Sequence, residues 1–384
     1  MFIQQIQERL RDMDQLHLAE KLHLLSEEEQ KQFLKHLDPD FLQLQRTLSK
    51  QILPPSFEEP AKTADEAHEK WKSPGNLALQ QGKCASLILA GGQGSRLGSS
   101  LPKALVPLND EGVTLLQIHL EKLYHLSHEF HITVPCAITT SQSHYPWIMN
   151  YLETHHFFHL VRESITVIIQ EEAPLLNGEG NWFLRENGML ALAPNGNGSS
   201  LKLLEEQGIL AKWESLGISA LSIIPIDNLL ANPIDPILLG YHTHHALDVT
   251  LKVITRKHPD EKMGVIVLKD QKIQVQEYSE LPLEARNHTY FAHIGLLTLS
   301  LSFARKVSKA SLPWHFCLKK DPLTEGMVGK FEQFLFDILP SSEKTSLLLY
   351  PRKEVYAPLK NKTGEHGLDS VQQLLSHLKE TKVF

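Results

Sequence analysis

The sequence predicts an α/β fold built on a mixed, mostly parallel sheet flanked by helices. Two observations carry this expectation. From Ala85 onward, short apolar runs alternate with helical stretches, and apolar strands separated by helices imply a parallel sheet covered on both faces. The first such run, residues 86–90, feeds straight into Gly91, Gly92 and Gly94. Ligands of parallel sheets bind where strands end in such turns. With 384 residues, 42% of them hydrophobic, the chain exceeds one small domain and can bury a large core.

Residues 1 to about 50 read as helices. Leu16, Leu18, Leu22, Leu24 and Leu25 form an apolar stripe, Ser26 with Glu29 makes a capping box, and Asp38-Pro39-Asp40 breaks one helix and can cap the next. Pro54, Pro55, Pro60 and Pro74 mark an irregular connector. Strands are expected at 86–90, 136–140, 165–170 and 219–226, with helices at 114–126 and 200–216 between them. More polar, hairpin-like strands at 249–255, 265–268, 273–278 and 290–299 suggest an antiparallel extension that builds a second wall. A helix near 330–339, a strand at 347–350 and a helix near 369–379 complete the chain. The expected organisation is an N-terminal helical region and connector over 1–83, a catalytic domain over 84–325, and a small C-terminal α+β segment over 326–384 that closes over the site.

Charged residues are 22% and the net charge is −7. A general nucleic-acid binder is usually basic, so any phosphate ligand must be held by a local cationic cluster. Cys84, Cys136 and Cys317 form no C-x-x-C pair and no disulfide framework, which fits a reducing compartment. The opening segment lacks the apolar core of a signal peptide. The most apolar long stretch, 220–240, is interrupted by Asp227, Asn228, Asn232, Asp235 and prolines, which excludes a membrane span. A cytoplasmic protein is expected.

The glycine loop is the strongest chemical signal. Glycines let the backbone bend sharply and approach a ligand closely, and the freed N–H groups can bind phosphate oxygens. Arg96 and Lys103 add positive charge for a polyphosphate. The loop matches neither the dinucleotide fingerprint nor a Walker A motif. Other positions are weaker alone. Gln170 ends a strand and can read a base edge with one donor and one acceptor, or simply end the strand. In Ala193-Pro-Asn-Gly-Asn-Gly, Gly196 can let the backbone lie against a flat base and Asn197 can bond sugar hydroxyls, or the segment is an ordinary turn before a helix. Asp227 ends an apolar strand and can hold Mg²⁺, or cap a turn. Glu277 can bind two adjacent sugar hydroxyls, or face solvent. Lys360 follows a rigid proline and can close over phosphate, or lie on the surface. His242, His244 and His245 lack the spacing of a zinc helix and read as helix-surface residues.

Taken in order, these motifs resemble the UDP-sugar pyrophosphorylase family, the UTP:sugar-1-phosphate uridylyltransferases, and most closely its eukaryotic-type UDP-N-acetylhexosamine pyrophosphorylases. The likeness rests on Leu-Ala-Gly-Gly-Gln-Gly-Ser-Arg-Leu-Gly with Pro-Lys, followed by the Gln170 strand, Pro-x-Gly-Asn-Gly, Asp-Asn, Met-Gly-Val, Glu-Tyr-Ser-Glu, Lys-Phe-Glu-x-Phe-x-Phe-Asp and Pro-Leu-Lys-Asn. The resemblance implies a Rossmann-like, GT-A-like nucleotidyltransferase fold. It implies backbone contacts from Leu89, Gly91 and Gly92 to uridine and phosphates, and charge from Arg96, Lys103 and Lys360 on the triphosphate. Gln170 and Gly196 would recognise uracil. Asn197, the Gly264 backbone and Glu277 would position the sugar, and Asp227 would bind Mg²⁺. The implied reaction joins UTP to a sugar 1-phosphate, N-acetylglucosamine 1-phosphate first and glucose 1-phosphate as the alternative, with a non-catalytic nucleotide-sugar binder as a third reading. Three departures from the family pattern, Asn195 for Asp, Ala104 for Gly, and Phe291-Ala-His-Ile-Gly-Leu296 for an Asn-rich strand, cluster on the sugar side.

Overall fold

A computed structural model describes residues 2–50, 59–61, 63–92, 94, 97–99, 101–282, 284, 290–321, 323–324 and 326–380. Arg96, and the connector residues Pro54 and Pro55, lie outside the described residues. The chain forms two compact units, the larger from Pro55–Gln170, Ser199–Ser311 and Leu335–Phe384, the smaller from Met1–Pro54, Glu171–Gly198 and Leu312–Phe334.

In the larger unit the strands are β1 (Cys84–Leu89), β2 (Cys136–Thr140), β3 (Ile165–Ile169), β4 (Ala220–Pro225), β5 (Val249–Thr255), β6 (Val265–Lys269), β7 (Lys272–Gln276), β8 (Phe291–Ser300) and β9 (Thr345–Leu349). Their order across the sheet is a short strand Asp65–Glu66, then β9, β5, β8, β4, β1, β2 and β3. The pairs β9/β5, β4/β1, β1/β2 and β2/β3 are parallel, while β8 runs against both β4 and β5. β6 and β7 form the expected hairpin, and β6 also meets β8. The expected α/β class and mostly parallel sheet are therefore present. Ile88, Ile138 and Ile224 lie in one buried cluster with residues of the flanking helices, including Leu116, Leu120 and Leu123. Such near-continuous apolar strands are what a sheet covered on both faces requires.

Two helices of this unit, Lys72–Gln80 and Pro236–His244, approach closely. A Cβ on Gly75 would lie 1.8 Å from the Pro236 carbonyl oxygen, and one on Gly240 would lie 1.9 Å from that of Trp71. His242 of the second helix is buried and bonds Thr250 Oγ1 through Nδ1 at 2.9 Å. The expectation of three surface histidines thus holds for His244 and His245 and fails for His242, whose hydroxyl partner on β5 draws it inward. The helix expected over 200–216 is two, Ser200–Glu206 and Ile209–Ser215, separated at Gly208 with φ +71°.

The smaller unit holds helices Phe2–Asp12, Glu27–Lys35 and Pro39–Lys50, a 3₁₀ helix Leu16–Leu24, and two hairpins, Glu172–Pro174 with Leu192–Pro194 and His315–Lys320 with Met327–Glu332. The Ser26–Glu29 capping box forms, and Asp38 Oδ1 accepts from the N–H groups of Asp40 and Phe41. Trp182 anchors the core: its Nε1–H donates to Gln45 Oε1 at 2.6 Å and its backbone N–H to Gln15 Oε1 at 3.1 Å. The expected helix near 330–339 is wrong. Residues 327–332 form a strand, in which Phe331 is buried between Lys330 and Glu332, and a 3₁₀ helix Leu335–Ser341 follows. That alternation has a period of two, not 3.6. Among the described residues, no helix is long and apolar enough to cross a membrane.

Candidate active site

The strands β1, β2, β3 and β4 run the same way and finish level. Leu89 pairs with both Thr139 and Pro225, and Thr140 with Ile169. Polar residues and glycines come within three residues of the strand ends: Gly91 and Gly92 after β1, Ser141 after β2, Gln170 after β3, and Asp227 and Asn228 after β4.

The β1 and β3 ends touch. The Ala90 N–H donates to the Thr139 carbonyl at 3.1 Å and the Gln170 N–H to that of Thr140 at 2.6 Å, so both chains stay in the sheet for one further residue. A Cβ on Gly91 would lie 1.7 Å from Gln170 Oε1. Only glycine lets that amide lie across the start of the loop. Gly92 is exposed, with open space where a side chain would be. The Leu89 carbonyl is engaged in the sheet, accepting from the Ile226 N–H at 3.0 Å.

The β4 end is held from three directions. Lys103 Nζ lies 3.2 Å from Asp227 Oδ2, both side chains being partly exposed. On another side the C-terminal segment is stitched to the same turn. The Leu359 N–H donates to the Asp227 carbonyl at 2.7 Å, the Leu229 N–H to that of Ala357 at 3.1 Å, Asn228 Nδ2 to that of Val355 at 2.7 Å, and the Ala357 N–H to Asn228 Oδ1 at 2.9 Å. Lys360 is the next residue after this seam, and its Nζ donates to Tyr356 Oη at 3.0 Å. From below, the helix Leu115–Phe130 supplies His119, whose Nε2–H donates to the Ile226 carbonyl at 3.2 Å, and Lys122, whose Nζ donates to those of Leu229 and Ala231 at 2.8 Å each. Burial pushes the His119 imidazole down to about 3 and the Lys122 ammonium down to about 7.

Gly264 and Glu277 also meet, since a Cβ on Gly264 would lie 3.5 Å from Glu277 Oε1. The Gly264 carbonyl accepts from the His293 N–H at 2.9 Å. Gly295 lies within a register shift of β8 between His293 and Leu297.

Gly196 and Asn197 belong to the smaller unit. Gly196 has φ +91° and bridges Gln333, whose carbonyl oxygen would be 2.2 Å from a Cβ there. The crossing main chain of Gln333 thus already demands glycine at this position. Neighbouring Asn195 donates from Nδ2 to Glu171 Oε2 at 3.4 Å.

The structure therefore joins Gly91 with Gln170, Lys103 with Asp227 and the Lys360 segment, and Gly264 with Glu277. Sequence reasoning missed the roles of Asn228, His119, Lys122 and Tyr356 as supports. Asn228 was visible beside Asp227, but its partners lie 127 and 129 residues away.

A sequence profile of the UTP–glucose-1-phosphate uridylyltransferase family matches residues 32–293. The chain belongs to this family. Among its relatives, UDP-N-acetylglucosamine diphosphorylase 2 of Arabidopsis thaliana is 29% identical over 405 residues, covering 94% of this chain and 81% of the relative. UDP-N-acetylglucosamine pyrophosphorylase of Saccharomyces cerevisiae is 28% identical over 360 residues, covering 85% of this chain and 75% of the relative. The solved uridine diphosphate N-acetylglucosamine pyrophosphorylase of Trypanosoma brucei, in complex with an inhibitor, superposes with a TM-score of 0.80 at 25% identity, covering 98% of this chain and 84% of that one. The fold of this family member is thus that of the UDP-sugar pyrophosphorylases.

Proposed function

We propose that the protein is a uridylyltransferase that forms a UDP-sugar and pyrophosphate from UTP and a sugar 1-phosphate, with N-acetylglucosamine 1-phosphate as the sugar substrate. The observation that carries the reading is the Lys103–Asp227 pair at the end of β4, with the Lys360 segment sewn to the same turn, in a chain of this family. The named N-acetylglucosamine relatives support the sugar. Glucose 1-phosphate is the second reading, favoured by the description of the family whose profile matches.

In the reaction a phosphate oxygen of the sugar 1-phosphate attacks the α-phosphorus of UTP. The new O–Pα bond forms as the bond from Pα to the bridging oxygen of the β-phosphate breaks, and pyrophosphate leaves with that electron pair. The nucleophile is already an anion, so no general base is needed. Charge repulsion and alignment set the barrier, and fixed cations lower both. Lys103 and Lys360 are assigned that work, and Arg96 shares it by resemblance. Within the larger unit, Gly91, Gly92 and Leu89 line the nucleotide, with Gln170 on the uracil. Gly264 and Glu277 receive the sugar.

Mg²⁺ fits Asp227. That carboxylate is partly exposed at a strand end, and Mg²⁺ takes one or two carboxylates with phosphate oxygens and waters. Among the described residues no group of three or more His, Cys, Asp or Glu could hold a metal alone, so the phosphates would complete the shell. Bound there, the ion would neutralise phosphate charge. The absence of a membrane-spanning helix among the described residues is compatible with work in the cytoplasm.

The test is pyrophosphate release from UTP with N-acetylglucosamine, N-acetylgalactosamine and glucose 1-phosphates, with and without Mg²⁺. Turnover highest with N-acetylglucosamine 1-phosphate and dependent on Mg²⁺ is expected. Binding of UDP-sugar without release from any of the three would leave only a nucleotide-sugar binder.

A further inference from the structure

Across β7, β6 and β8, one row of residues lacks its middle side chain. Val265 on β6 pairs with Gln276 on one side and Ala292 on the other, both antiparallel. One step back along β6, Gly264 therefore falls between Glu277 and His293. Two observations agree with that register: the His293 N–H donates to the Gly264 carbonyl at 2.9 Å, and Glu277 Oε1 lies 3.5 Å from the place a Gly264 Cβ would take. Residues paired across strands project from the same face. Neighbouring strands lie about 4.8 Å apart, so the Glu277 and His293 backbones stand about 10 Å apart on either side of Gly264, and the nearest atom to the place of a Gly264 Cβ is Val275 Cγ1 at 3.0 Å.

The two walls are chemically unlike. Glu277 brings an acceptor of hydroxyl protons. His293 brings a ring that burial pushes down to about 4, so it is neutral near pH 7, with one donor and one acceptor nitrogen. Among the described residues its Nδ1 is buried with no hydrogen-bond partner. Phe336, from the 3₁₀ helix Leu335–Ser341, meets the ring edge-on with centroids 5.8 Å apart. A buried polar atom without a partner is costly, and such atoms persist where function uses them.

We propose that His293 determines sugar specificity: its imidazole hydrogen-bonds a hydroxyl on one edge of the pyranose while Glu277 accepts from hydroxyls on the opposite edge, with the ring lying over Gly264. The inference rests on the uridylyltransferase reading for the identity of its ligand. His293 lies in the stretch where this chain departs from the family's Asn-rich strand.

The experiment compares His293→Ala and His293→Gln with the unaltered chain in two assays. One is pyrophosphate release with varied sugar 1-phosphate and varied UTP. The other is calorimetric binding of UDP-N-acetylglucosamine against UDP. The loss of one neutral hydrogen bond predicts a KM for the sugar 1-phosphate about tenfold higher in His293→Ala, with KM for UTP within about twofold. Binding of UDP-N-acetylglucosamine weakens by a similar factor while UDP binding does not, and His293→Gln recovers most of the difference. Equal losses for UDP and the UDP-sugar, or no loss for either, overturn the proposal. Should His293→Ala fail to fold, His293→Phe keeps a ring against Phe336 but carries no nitrogen and must weaken the UDP-sugar selectively; unchanged binding there overturns the proposal too. An unaltered chain that binds the UDP-sugar yet releases no pyrophosphate sinks the catalytic reading alone, and the binding comparison still decides His293.

Discussion

Lys103 and Asp227 stand 124 residues apart in sequence and 3.2 Å apart in space. Each was legible separately, one as a cation just beyond a glycine loop, the other as a carboxylate at a strand end. Their pairing was not, because it depends on β4 lying beside β1. Removing one transition-state charge group typically costs ~10²–10³ in rate. Lys103→Ala is expected to lose that much turnover while its melting temperature changes little, since a part-exposed ion pair contributes only about 0–1 kcal/mol. Normal melting with near-normal turnover would remove Lys103 from the mechanism. Gly91 gives a complementary test. An added methyl there collides with the far end of the flexible Gln170 side chain, not with backbone. Gly91→Ala should keep its denaturant midpoint yet raise KM for UTP about tenfold, the cost of one displaced hydrogen-bonding group. An unchanged KM would show that the Gln170 amide does not read the nucleotide. Gly196 carries a different lesson. The sequence marks it as special, but the Gln333 main chain against it is invisible there.

At the level of elements, the strands were readable because apolar runs of five or six residues between helical stretches admit few other fates. The failures share a cause. Over Lys330-Phe331-Glu332 charged and apolar residues alternate, and the run Phe331, Phe334 and Phe336 masked that period. At Gly208 a single glycine in the left-handed region cuts one apparent helix into two. Neither the Gly75 nor the Gly240 approach could be foreseen, because a close helix crossing leaves no mark except a small residue. Gly240→Ala would place a methyl group 1.9 Å from the Trp71 carbonyl oxygen, which cannot swing aside. The helices must part, and overpacking of this kind costs about 1–3 kcal/mol. A urea unfolding curve should show the loss. A midpoint equal to that of the unaltered chain would mean the two helices separate freely.

For the molecule as a whole, buried histidines make stability sensitive to acid, and His119 and His242 share this with His293. Burial holds His119 at about 3 and His242 at about 4, against an ordinary 6.5. Below about pH 6.5 the unfolded chain takes up protons that the folded chain refuses, so stability falls as pH falls and levels off only near the folded values. Two such groups give a slope of up to about 3 kcal/mol per pH unit. Denaturant midpoints between pH 7 and 4 should decline accordingly, and His119→Gln with His242→Gln should flatten the decline. A midpoint flat across that range would show that both rings protonate in the folded chain.

The smaller unit draws its core from Ile6, Trp182 and Phe331, three stretches that translation delivers at widely separated times. At about 5–20 residues per second, the helices over residues 2–50 wait tens of seconds for the hairpin that completes their apolar lining. Until then their greasy faces are open to holdase chaperones, and to each other on neighbouring nascent chains.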